Sequence, residues 1–112
     1  MSSSFGSMTI HQLYPRWLTS SENSRQFCVI DVRTPEEYQQ GHVPGATLKP
    51  LDRLGDLTDD LPRQSDLHLI CRSGMRSQKA AQILAEAGFN RLINIEGGTM
   101  AWIKAGYPVD GS

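Results

Sequence analysis

The sequence predicts an α/β domain: a mostly parallel central sheet flanked by helices. Three observations carry that expectation. Short apolar, β-branched runs recur at residues 27–32, 67–71 and 91–95, each followed by a stretch with helical signals. Strand and helix alternating in this way build βα units. The runs are apolar on successive residues, as strands buried on both faces are. Finally, 112 residues is the length of one domain, and roughly two thirds of its unfolded surface can be buried without a disulfide or metal staple.

The elements follow in order. Residues 1–7 are Ser- and Gly-rich without periodicity, and are set aside as a flexible tail or expression remnant, leaving 8–112 as the domain. Thr9 to His11 is read as an edge strand and Pro15 to Thr19 as a short helix. The strand at 27–32 runs into Thr34-Pro35-Glu36-Glu37. Thr34 caps a helix, Pro35 opens it, and Glu37, three residues after the cap, completes a capping box. Gly41 ends that helix, and His42-Val43-Pro44-Gly45 turns into an extended piece at 46–49. After the strand at 67–71 comes a helix over about 75–87. Ala80, Ile83, Leu84 and Ala87 keep its apolar spacing and Gly88 stands at its C-terminal cap. The strand at 91–95 leads through Gly97-Gly98 to a short helix ending near Trp102, which is read as core.

Composition narrows the function. Apolar content of 38% and charged content of 21% are ordinary for a globular chain. A formal net charge of -1 offers no basic excess for phosphates, so neither nucleic acid nor membrane is expected as a partner. No apolar run is long enough to span a bilayer. His11, His42 and His68 are scattered, and Cys28 and Cys71 form no ligand pattern, so neither metal nor cofactor is expected. No secretory signal is visible, and the free thiols fit a cytoplasmic, reducing compartment.

The most informative stretch is Cys71-Arg72-Ser73-Gly74-Met75-Arg76-Ser77. Its thiol lies at the C-terminal end of a buried strand, with a helix starting a few residues later. Ligand sites in open α/β sheets lie at that end. A tight strand-to-helix loop turns successive N–H groups inward, and the helix N-terminus adds partial positive charge. Gly74 permits the positive φ such a loop requires. Helix N-termini and neighbouring cations lower a cysteine pKa from about 8.5 to roughly 3.5–7.5. Arg72 and Arg76 supply two cations that can attract an anionic substrate and stabilise its leaving group. A lone cysteine is most often a small buried hydrophobe. That reading fits Cys28, among apolar strand neighbours. It does not account for two arginines, a serine and a glycine around Cys71. A thiolate attacking an anion is consistent with sulfur transfer and with phosphoryl transfer.

The loop CRSGMRS resembles the active-site loop of single-domain rhodaneses, and the resemblance extends to CVIDVRTPEEYQQGHVPGA and INIEGGTMAWIKAGYPV. Three blocks in the family's order cover most of residues 28–109. The resemblance implies a three-layer rhodanese-like fold with the catalytic loop after a central strand. It also implies a thiosulfate sulfurtransferase. The Cys71 thiolate takes the sulfane sulfur of a donor such as thiosulfate, and a thiophilic acceptor, cyanide or a thiol, removes it from the persulfide. Ser73, Gly74, Met75, Arg76 and Ser77 would give backbone donors, with the Arg72 and Arg76 side chains facing the donor anion. Cysteine-dependent phosphatases carry one more residue between Cys and Arg. The four between Cys71 and Arg76 make a narrower cradle that favours sulfur over a tetrahedral phosphate.

Asp31 as general acid or base is weighed against a structural role, with Arg33 tying the strand end to the next helix through Glu36 or Glu37, and the structural role is expected. His42 is expected as a hydrogen-bonded turn residue near the site, His68 as a packed or half-exposed strand residue, and Gly97-Gly98 as a point of close backbone approach. The partners implied are a small anionic sulfur donor and a thiol or cyanide acceptor, or a protein in either role. The alternatives are a sulfur carrier and a non-catalytic binding module of the same fold. A monomer is the default.

Overall fold

The structure, a computed structural model, describes residues 5–20 and 27–111. Its elements run β1 (Gly6–Thr9), α1 (Ile10–Thr19), β2 (Cys28–Asp31), α2 (Pro35–Gln40), β3 (Thr47–Leu48), a 3₁₀ helix (Leu51–Asp56), β4 (Leu67–Ile70), α3 (Arg76–Glu86), β5 (Leu92–Glu96) and α4 (Gly98–Lys104). The five strands form one sheet in the order β1-β5-β4-β2-β3. Every pairing is parallel, with Cys28 opposite Leu67, Ile70 opposite Asp31, and Leu69 opposite Asn94. β4 is central, and all four of its residues are buried, as a strand covered on both faces requires.

Side-chain alternation sorts the core into two layers. On one face Ile30, Leu67, Leu69, Cys71 and Leu92 pack with Leu54 of the 3₁₀ helix and with Ala80, Ala81 and Leu84 of α3. On the other, Val29, Ile70 and Ile95 pack with Ile10 and Leu13 of α1 and Trp102 of α4. Leu54, Leu84 and Trp102 are fully buried, and side chains of this kind each contribute about 1.5–3 kcal/mol by leaving water. Trp102 also donates its Nε1–H to the Pro108 carbonyl at 2.6 Å.

The front of the chain departs from expectation. The strand comes earlier, at Gly6–Thr9, so Gly6 and Ser7 of the segment set aside as a tail pair with Ile93 and Asn94. Residues 1–4 of that segment lie outside the described residues. The helix begins at Ile10, with Pro15 in its interior. The start signal is a capping box. Thr9 Oγ1 accepts the Gln12 N–H at 3.2 Å, while the Gln12 side chain accepts the Thr9 N–H at 2.9 Å. α2 is as expected. Thr34 and Glu37 form the reciprocal cap and Gly41 ends the helix. The 3₁₀ helix had no counterpart in the sequence reading.

Candidate active site

β4 delivers the chain to Cys71 at the C-terminal edge of the sheet, where it must turn before α3 can begin. Gly74 makes the turn at φ +106°, a conformation that costs little only for glycine. The turn aims donors inward. The Gly74 N–H reaches Cys71 Sγ at 3.1 Å and the Ser77 N–H, in the first turn of α3, reaches it at 3.3 Å. The thiol points at Ser77 Oγ, 3.4 Å away, and the Ser77 hydroxyl donates in turn to Asn94 Oδ1 on β5. Burial pushes the Cys71 thiol up. Bonds given to the thiolate by the Ser77 hydroxyl, once it turns to the sulfur, and by the amides of Ser77, Gly74 and Ser73 oppose it, and together they bring the thiol below its usual range. Sγ is therefore a sulfur shielded from water and offered hydrogen bonds by the protein; Cys71 is 1% exposed.

The loop is also held from behind. Thr99 and Met100, in the first turn of α4, donate their N–H groups to the Cys71 and Arg72 carbonyls at 2.8 and 3.0 Å. Gly98 makes this approach possible. A Cβ there would lie 2.4 Å from the Cys71 carbonyl oxygen, so the close approach expected at Gly97-Gly98 is present.

The remaining predicted residues divide. Arg72, Ser73 and Met75 form an exposed tip, while Gly74 and Ser77 are buried. Among the described residues, the Met75 and Arg76 amides make no hydrogen bond to Sγ. The two cations differ. Arg72 is in none of the described ion pairs, whereas Arg76 binds Glu37 bidentately at 2.7 and 2.8 Å. The Arg76 guanidinium holds the Glu37 carboxyl down at about 2. Glu37 thus caps α2 and links it to the start of α3, and it is not the partner of Arg33. Arg33 instead chelates Asp31, with Nε and a terminal nitrogen at 2.9 and 2.8 Å, and donates to the Gly41 carbonyl at 2.8 Å. Both are buried. The pair clamps the end of β2 to the end of α2, a structural role reached through different partners than expected.

His42 Nδ1 lies 2.7 Å from the Tyr38 carbonyl oxygen, and the ring stacks on Tyr38, so it is a bonded turn residue. His68 is fully buried rather than half-exposed, with Nδ1 2.8 Å from the Cys28 carbonyl oxygen. Cys28 is half-buried at the start of β2, and burial pushes its thiol up. A cleft of about 550 Å³ runs beside the site between Thr34, Leu51, Lys79 and Ile83, and meets the loop only at Arg76. Asn94, the pairing of Glu37 with Arg76, and the Thr99 and Met100 N–H groups are the parts of the site that the sequence reading did not find.

A family description, the rhodanese-like domain, matches residues 15–105. A sulfurtransferase of Allochromatium vinosum is 36% identical over 81 residues, covering 72% of this chain and 76% of that protein. The YrkF protein of Bacillus subtilis, a candidate sulfur carrier by name, is 35% identical over 74 residues, but the chain spans only 40% of its length. Among solved structures, a rhodanese-related protein from Thermoplasma volcanium superposes with a TM-score of 0.80 at 31% identity, covering 96% of this chain and all of that one. A rhodanese-like domain protein from Staphylococcus aureus gives 0.79 at 29%, covering 96% and 99%. No helix among the described residues is long and apolar enough to cross a membrane. Likeness in sequence over residues 15–105 and in backbone course over nearly the whole chain place this protein in the rhodanese-like domain family.

Proposed function

We propose that this protein is a sulfurtransferase that carries sulfane sulfur as a persulfide on Cys71. The observation that supports it most is the convergence of the Gly74 and Ser77 N–H groups on a buried Sγ whose thiol lies below its usual range. With thiosulfate as donor, the thiolate attacks the outer sulfur. A new S–S bond forms to Cys71 while the bond to the sulfonate sulfur breaks, and its electron pair leaves with sulfite. The persulfide's outer sulfur is then attacked by cyanide or by a thiolate, releasing thiocyanate or a new persulfide and restoring the Cys71 thiolate. Splitting the transfer in this way replaces one difficult displacement by two easier ones. Arg72 faces the donor's anionic group, and Arg76, held by Glu37, adds positive potential at the loop. The amides of the loop, from Ser73 to Ser77, stabilise charge on the persulfide, those of Gly74 and Ser77 being already directed at Sγ. Asp31, Arg33 and His42 support the loop's surroundings. A free thiol with this chemistry fits a reducing compartment such as the cytoplasm.

The test is thiocyanate formation from thiosulfate and cyanide. Cys71→Ser is expected to fall to background and Cys28→Ser to stay within about twofold of the parent. Turnover surviving in Cys71→Ser would sink the assignment. The candidate sulfur carrier among the relatives favours a second reading, in which Cys71 takes its sulfur from a protein donor. A persulfide seen by mass spectrometry after incubation with such a donor, without thiosulfate turnover, would support that role. No persulfide under either condition would leave a binding module.

A further inference from the structure

The Ser77 hydroxyl is completely buried and has one proton to give. Two acceptors compete for it: Cys71 Sγ, 3.4 Å away, and Asn94 Oδ1. A hydroxyl offers one donor and two lone pairs, so a proton turned to Asn94 presents lone pairs to the sulfur. A proton turned to the sulfur presents a donor. Asn94 itself is 2% exposed in a strand that is otherwise apolar up to its exposed last residue, Glu96, and it lies on the side of the sheet that faces α3, like its alternate neighbour Leu92. An apolar residue would satisfy that layer's packing. The carboxamide's described hydrogen bond is the one to Ser77, so its presence needs an account.

We propose that Asn94 is a positioning residue that competes with Cys71 for the Ser77 proton and so sets whether the sulfur faces a donor or a lone pair. Asn94 does not touch the sulfur or a substrate and acts only through Ser77. In the arrangement seen, the thiol donates to Ser77 and Ser77 to Asn94, a chain that favours the protonated resting cysteine. Formation of the thiolate reverses the Ser77 hydroxyl at the expense of its bond to Asn94. The inference rests on Cys71 being the reactive thiol, but its readout, thiol ionisation, is independent of turnover.

The experiment follows thiolate ultraviolet absorbance against pH in a Cys28→Ser background, where Cys71 is the sole thiol. Removing the acceptor by Asn94→Leu or Asn94→Ala frees the hydroxyl for the sulfur, and the titration midpoint is expected to fall by roughly one pH unit. The two replacements differ in volume, so an effect of packing would separate them while loss of the acceptor moves both alike. If one variant does not fold, the other carries the measurement. In a Ser77→Ala background the same substitutions are expected to leave the midpoint unchanged, since the relay is already gone. An unmoved midpoint in both single variants, a rise, or a shift that persists without the Ser77 hydroxyl would overturn the proposal. If instead the midpoint falls as expected but Cys71→Ser retains sulfur transfer, the competition for the Ser77 proton stands and the assignment of sulfur transfer to Cys71 fails.

Discussion

The two cysteines lie at opposite ends of the same pair of neighbouring strands, and only one of them is acidified. Cys28 opens β2 and stands opposite Leu67, the first residue of β4; Cys71 follows the last. Cys28 is the more exposed, yet its thiol is pushed up by burial; Cys71 is the more buried, yet its thiol is brought down. Exposure therefore does not set thiol acidity here. The end of the sheet does. In a parallel sheet, helix N-termini gather at the C-terminal ends of the strands, so free N–H groups are available around Cys71. Cys28, at the other end, receives desolvation without the donors that would offset it.

That contrast can be broken most severely from behind the loop. Gly98→Ala places a methyl group against the Cys71 carbonyl at a residue with φ +60°. The loop must shift, and a displacement near 1 Å is expected to lower sulfur transfer on the order of 100-fold. Stability should fall by about 1–3 kcal/mol in denaturant titrations. The Cys71 thiol should move up toward Cys28, with Cys28 unmoved. Unchanged activity would mean that α4 does not hold the donors in place.

A smaller effect is predicted for the thiols themselves. In single-cysteine variants, thiolate absorbance should titrate below the ordinary thiol range for Cys71 and above it for Cys28. Equal midpoints would show that the converging amides do not distinguish the two ends.

The smallest effect concerns the ion pair joining the starts of α2 and α3. Its side chains are partly exposed, so Glu37→Gln should cost only about 0.2–1 kcal/mol at neutral pH. The sign with pH is definite. The folded carboxyl lies at about 2, below its unfolded value. Its contribution is therefore full above the unfolded value near 4.3 and fades as pH falls toward 2. Between those limits the parent should lose more stability than Glu37→Gln. Parallel losses would show that the pair contributes nothing to folding.

What could be read in the sequence was local. The Thr34–Glu37 cap, the strand entering Cys71 and the glycine at the turn all announce themselves within a few residues. The sequence reading starts the first helix at Pro15, whereas the Thr9–Gln12 box starts it at Ile10 and Pro15 falls inside. The 3₁₀ helix offers only Leu51 and Leu54 in six residues, too short a pattern to register. The partners of the site were hidden by separation along the chain. Glu37 meets Arg76 across 39 positions and Asn94 meets Ser77 across 17, and no local pattern pairs them. Alternation in β5 did carry a signal for Asn94, a polar residue placed on the same face as Leu92.

The two bonds from α4 to the Cys71 and Arg72 carbonyls have a consequence for the order in which the site is made. Synthesis and folding proceed from the N-terminus, and the brace on the loop belongs to a βα unit that emerges after it. Until β5 and α4 have packed, the Cys71 and Arg72 carbonyls lack these partners, so the loop is completed only after the elements that flank it.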